Sequence, residues 1–202
     1  MKHLYAYIVE PIEGRYTNNK KIDNSNLILN TSIENHKFVN RYGKVVQTPI
    51  NQISDIKIGD TVIVHHNVFR RFYDMRGKSK NSMSYFKEDK YFCYDDQIFL
   101  YKQNNKWQAP NEFCFVKPIK EDNLLSDQKE KPLIGVLKHL GSDLRSFNLK
   151  VNDLVGFTPN SEYEFVIDNN RMYRVPLNSI SIKYDRKGTE VEYNPSWLQS
   201  SS

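Results

Sequence analysis

Apolar residues in this chain come in short runs, each bounded by turn residues or proline. Leu4, Tyr5, Ala6, Tyr7, Ile8 and Val9 make one run that stops at Pro11, and Phe113, Cys114, Phe115 and Val116 make another that stops at Pro118. Proline cannot donate to a β-ladder, so both runs read as strands that close there. Further strands are predicted at Gly43-Lys44-Val45-Val46, Thr61-Val62-Ile63-Val64 and Gln97-Ile98-Phe99-Leu100-Tyr101. In the second half they are predicted at Gly135-Val136-Leu137, Leu154-Val155-Gly156-Phe157 and Ser179-Ile180-Ser181-Ile182-Lys183. The β-branched run at 61–64 follows Gly59-Asp60, a turn pair. Asn152-Asp153 does the same job before 154–157, because asparagine also tolerates positive φ. Short strands, even spacing and frequent turn residues predict small all-β barrels.

The two halves repeat each other in order. Residues 7–13 match 114–120 at an offset of 107, 43–46 match 135–138 at 92, and 57–64 match 150–157 at 93. A weaker match sets 91–101 against 173–183 at 82. The expected organisation is a first barrel over residues 1–109, a second and shorter one over 110–185, and a tail over 186–202. The tail is polar with a lone Trp197, and reads as disordered or as an arm on a neighbour. The changes in offset leave the first copy with 15 extra residues within 14–42 and 11 within 65–90. Insertions belong in surface loops, and loops on a rigid scaffold often carry function. Function is therefore expected in those two stretches.

Composition agrees with strands. The chain has 202 residues, 39% of them hydrophobic, with much of that fraction Tyr, Phe, Ile and Val. Alanine occurs only at Ala6 and Ala109, which argues against a mainly helical protein. Abundant asparagine suits turns, and is also what an AT-rich genome produces. The net charge of +5, from 29 basic and 24 acidic residues, is spread along the chain and does not by itself point to nucleic acid. Cys93 and Cys114 lie inside aromatic runs and read as buried free thiols in a reducing compartment. No signal peptide and no apolar run of membrane-spanning length is legible, so a cytoplasmic protein with no membrane partner is expected.

The order of these segments resembles the ten-kilodalton co-chaperonin family, the GroES-like fold. That family opens on a strand of the "RVIVKR" type, similar to residues 5–11 and again 113–118. Its "GxVxxVG" strand is similar to Gly43-Lys44-Val45-Val46 and to Gly135-Val136-Leu137. Its "VKxGDxVxF" turn and strand is similar to residues 56–63 and to 149–157, with Asn152 in place of the glycine. The resemblance implies two tandem GroES-like barrels with long surface loops in the first copy. In the family, a long loop after the opening strand docks an aliphatic tripeptide on a large ring chaperonin. Here Leu27-Ile28-Leu29, within a polar stretch that lacks aromatics, is similar to that tripeptide. The residue-level alternative is that these three form one more buried strand. Leu124-Leu125, in the shorter loop of the second copy, stand where a second contact would fall. The implied partner is a GroEL-like ring chaperonin of the host, and the implied assembly a homo-oligomer, plausibly a ring. Composition and divergence suggest a phage-encoded protein.

The densest polar-aromatic cluster begins at His65-His66-Asn67-Val68-Phe69-Arg70-Arg71-Phe72-Tyr73. His66, Phe69, Arg70, Arg71 and Tyr73 are candidates for partner contact, or for single-stranded nucleic acid held by stacking and phosphate contact. Adjacent histidines on a strand would face opposite ways, so no metal site is expected there. No nucleophile, base and orienting acid stand in a recognisable arrangement, and neither a phosphate loop nor a dinucleotide fingerprint is present. The expectation is a non-enzymatic protein without a cofactor. A phage structural or assembly protein, carried in the virion and retaining the fold, is the alternative reading, and a single-strand-binding module the third.

Overall fold

The computed structural model describes residues 2–17, 19–22, 25–28, 35–52, 54–110, 113–123, 129–141 and 147–195, with the backbone alone at 19–22, 25–28 and 37. The chain divides into two compact units, Met1–Lys106 and Trp107–Ser202. Both are built from strands, with three short 3-10 turns among the described residues.

In the first unit the strands are β1 (Tyr7–Pro11), β2 (Asn19–Ile22), β3 (Ser25–Ile28), β4 (Tyr42–Gln47), β5 (Thr61–Val64), β6 (Arg71–Tyr73), β7 (Ser79–Asn81), β8 (Tyr85–Lys87), β9 (Lys90–Cys93) and β10 (Ile98–Gln103); β11 (Lys106–Gln108) begins where the unit ends. The second unit holds β12 (Phe113–Lys120), β13 (Glu130–Leu140), β14 (Leu154–Phe157), β15 (Tyr163–Ile167), β16 (Asn170–Pro176) and β17 (Ile180–Tyr184). The main sheets run β11-β10-β5-β4-β1-β9-β8 and β15-β16-β12-β13-β14-β17. Read from opposite ends, the second order repeats six strands of the first.

The repeat extends to register. Ile8 faces Gln47 and Val9 faces Val45 across a bulge, while Phe115 faces His139 and Val116 faces Leu137 across a bulge at the same step. Val62 pairs with Gly43 and Tyr101, as Val155 pairs with Gly135 and Lys183. These are the partners that the sequence offsets bring together. The turns agree as well. Gly59 sits at φ +93° and Asn152 at +73°. The N–H of Gly59 donates to Val45 O, and that of Asn152 to Leu137 O, each at 2.7 Å. Asp60 and Asp153 each accept the N–H three residues back, from Lys57 and Lys150, at 2.8 Å. Gly135 is needed for a different reason, since a Cβ there would lie 2.5 Å from Lys117 O.

Each unit has its own core. Tyr7, Val9, Val45, Ile56, Val62, Val64, Tyr91 and Cys93 are buried together in the first. Their counterparts Cys114, Val116, Leu137, Leu149, Val155, Phe157 and Val175, with Tyr173 packed against them, fill the second. Burial pushes the Cys114 thiol up to about 12 and Cys93 well above its ordinary value, so both stay protonated and inert.

Two expectations need correction. A barrel closed by hydrogen bonds requires its end strands to pair, and neither sheet does so: each order is open, from β8 to β11 and from β15 to β17. The tail is also not a free arm over its described part. Glu192 bridges Ile119, Tyr193 N–H donates to Pro118 O at 2.8 Å, and Glu192 pairs with Lys117 at 3.2 Å and Lys138 at 2.6 Å. Residues 191–193 thus lie along β12. Trp197 lies outside the described residues.

Candidate functional site

The first unit's two insertions rise from neighbouring points on its sheet and are stapled together. The first leaves β1 through Glu13 and Gly14, both at positive φ, 59° and 92°. The buried Asn40 closes its base, its amide donating to Ile12 O and, at 2.7 Å, to Gly14 O. Tyr16 bridges Val39, and Asn40 N–H donates to Arg15 O at 2.9 Å. Above this base β2 and β3 form a two-stranded sheet, with Lys20 opposite Leu27 and Asn19 opposite Ile28. Leu27 and Ile28 are therefore in a strand of a separate hairpin. Leu29, Leu124 and Leu125 lie outside the described residues.

The second insertion starts with a turn, not a strand. Val68 N–H donates to His65 O at 3.0 Å, and Asn67 N–H to His65 Nδ1 at 3.1 Å. As a result His65 and His66 do not face opposite ways. Their rings stack with centroids 4.2 Å apart, and His36 approaches His66 at 5.4 Å. Burial foremost, then His65, Arg41, His36 and Arg70, pushes His66 down to about 3, so it is neutral at ordinary pH. Among the described residues no three His, Cys, Asp or Glu side chains are placed to hold a metal ion.

Val68 and Phe69 then dive into the core and are fully buried. Phe69 meets Tyr91 edge-on at 5.0 Å, and its Cζ lies 3.1 Å from where a Cβ on Gly43 would be. Phe69, expected at a contact surface, is instead a plug, because an apolar ring leaving the sheet is most stable in the space beside Tyr91. The chain re-emerges as the hairpin β6–β7, its tip closed by Asp74, whose Oδ1 accepts from Arg76 and Lys78 N–H at 2.9 Å. Phe72 and Tyr73 are 41% and 49% exposed, and Met75 and Met83 are fully exposed. His66, Arg70 and Arg71 are partly buried beside this hairpin.

Arg15 joins the two insertions. Its guanidinium donates to Phe69 O at 3.0 Å, to Arg70 O at 3.3 Å and to Asn81 Oδ1 at 2.8 Å, and it lies over the Tyr91 ring at 5.3 Å. Tyr16 OH accepts the N–H of Arg71 at 2.7 Å. No local sequence pattern marks Arg15, because its partners lie more than 50 residues away. The arrangement offers exposed aromatic and sulfur surface on one hairpin, and aliphatic backbone positions on another, from one rigid base.

Set against protein-family models and curated proteins, the chain matches none.

Proposed function

We propose that the chain is a co-chaperonin-like protein, built from a duplicated GroES-like unit, that docks on a ring chaperonin and caps it through Leu27-Ile28-Leu29. The observation that carries this reading is the hairpin β2–β3, a two-stranded sheet of its own on a base fixed by Asn40, Arg15 and the Tyr16–Val39 bridge. A lone hairpin is marginally stable in water, so contact with an apolar groove would order it and bury its aliphatic residues. Supporting the family assignment are the repeated strand order and the two matching Gly59-Asp60 and Asn152-Asp153 turns. A homo-oligomeric ring would make such weak docking multivalent.

The test is ATP-dependent co-sedimentation of the full chain with a bacterial ring chaperonin, alongside the native mass of the particle. The expected result is binding that Leu27→Asp abolishes. Failure to bind, or binding indifferent to Leu27→Asp, would remove the reading. The exposed Phe72, Tyr73, Met75 and Met83 favour a second one, a non-enzymatic phage structural or assembly protein that packs the β6–β7 hairpin on a neighbour. Its sign is the chain in purified particles, without affinity for chaperonin. Single-strand binding has less support, since Phe69 is not available to stack.

A further inference from the structure

The duplication allows the same place to be compared in two settings. In the first unit the space beside Tyr91 is filled by Val68 and Phe69, supplied by an insertion. The second unit has no such insertion: after β14 the chain turns through residues 158–162 straight into β15. Tyr173 and Phe157, the counterparts of Tyr91 and Val64, there border an open cavity of about 290 Å3, together with Leu133, Glu130 and Glu162.

Two further features single out this cavity. Along its wall β13 loses its register against β12, since Pro118 pairs with Gly135 but Lys120 pairs with Glu130. Within that bulge Leu133 holds φ +60°, a left-handed conformation that costs a bulky residue about 1 kcal/mol or more. Bulges of this kind re-aim side chains near binding sites. In addition, Glu162 Oε2 is buried with no hydrogen-bond partner among the described residues. Glu130 is already engaged by Arg171 and Tyr173, and Lys131 by Asp122. The cavity therefore has an apolar floor of Phe157, Tyr173, Leu133 and Pro132 with Lys129 and Lys131 at its rim, room for one aromatic side chain, and one carboxylate lacking a donor.

We propose that this cavity is a receptor for a partner polypeptide carrying a phenylalanine followed by arginine. The ring would occupy the space against Tyr173, Phe157 and Leu133, and the guanidinium would supply the donor to Glu162. Val68-Phe69-Arg70 shows the apolar part of that occupant in the first unit, where it is covalently supplied. The inference does not depend on the chaperonin reading, because it uses neither Leu27-Ile28-Leu29 nor Leu124-Leu125.

The probe is a fluorescein-labelled peptide with the sequence of residues 66–73, titrated into the full chain and followed by anisotropy. Saturable binding is expected, with Kd on the order of 0.1 mM, as suits one anchored side chain. Replacing the phenylalanine corresponding to Phe69 by alanine in the peptide should weaken it at least about tenfold. Glu162→Gln in the protein should weaken it by about three- to tenfold. Glu162 is partly exposed, so this variant keeps the fold, which circular dichroism checks. The proposal is overturned by no binding at 1 mM peptide, on the order of ten times the expected Kd. Binding that survives loss of the phenylalanine, or that ignores Glu162→Gln, would also overturn it.

Discussion

The two units have nearly the same sheet and differ in what lies beside one conserved tyrosine position. Tyr91 is packed by Phe69 and covered by Arg15, which arrives from a loop and donates to backbone carbonyls of the other insertion. Tyr173 is covered at 4.9 Å by Arg171, which stands two residues earlier on the same strand, β16, and is paired with Glu130 and Glu164. A guanidinium over a tyrosine thus recurs with different origins. One unit closes its core with apolar surface from an insertion; the other uses a charged network and leaves a cavity. A single scaffold tolerates both because the sheet register and the Asp60 and Asp153 turns are independent of what fills that end.

The comparison breaks most visibly if Phe69 is truncated. Phe69→Ala should destabilise the first unit by about 3–5 kcal/mol, since it removes a fully buried ring. Unit-resolved hydrogen exchange should show the loss there while protection in the second unit is kept. The mirror experiment is Arg171→Ala, which leaves the buried Glu164 without its cation. It should cost the second unit about 3–5 kcal/mol, whereas Arg15→Ala, a part-buried staple, should cost the first about 1–2 kcal/mol. Equal costs in denaturant titrations would show that the two arginines do the same job.

Acid should separate the units further. His66 is held near 3 in the folded chain and titrates near 6.5 when unfolded, so its contribution is complete above pH 6.5 and is lost as pH falls towards 3. His139 is also lowered, by burial first and by Lys138, against a raising hydrogen bond that it donates to the Trp107 backbone, so the second unit weakens in acid too. His66→Gln should recover about 1–2 kcal/mol at pH 4 in the first unit only, read as a flatter pH profile of exchange. The smallest effects belong to the turns. Gly59→Ala should cost about 1 kcal/mol at φ +93°, while Asn152→Gly should change stability by only a few tenths, about 0.3 kcal/mol, by thermal melting.

The strands were readable because their signals are local. The run ended by Pro11, and the paired Gly59-Asp60 and Asn152-Asp153, encode backbone constraints within a few residues; Pro118 does not close its strand as expected, because β12 bulges there and continues to Lys120. Offsets of matching segments then carried the register of whole sheets. The candidate site was less legible. Phe69 looked like contact surface because apolar residues in an insertion read the same whether they face solvent or a core. His65 and His66 were read on a strand, but a turn set by the Val68 N–H stacks their rings.

By itself, then, the sequence determined an all-β chain with two units of matching order, and the turns that fix their phase. Those follow from excluded dihedrals and missing donors, which act at short range. Only the tertiary structure decided that Phe69 is a plug, that the tail from Val191 to Tyr193 lies on β12, and that the second unit keeps a cavity beside Tyr173. Each depends on which distant surface is left uncovered once the sheets have formed, and burial of that surface is a non-directional force that no local pattern records.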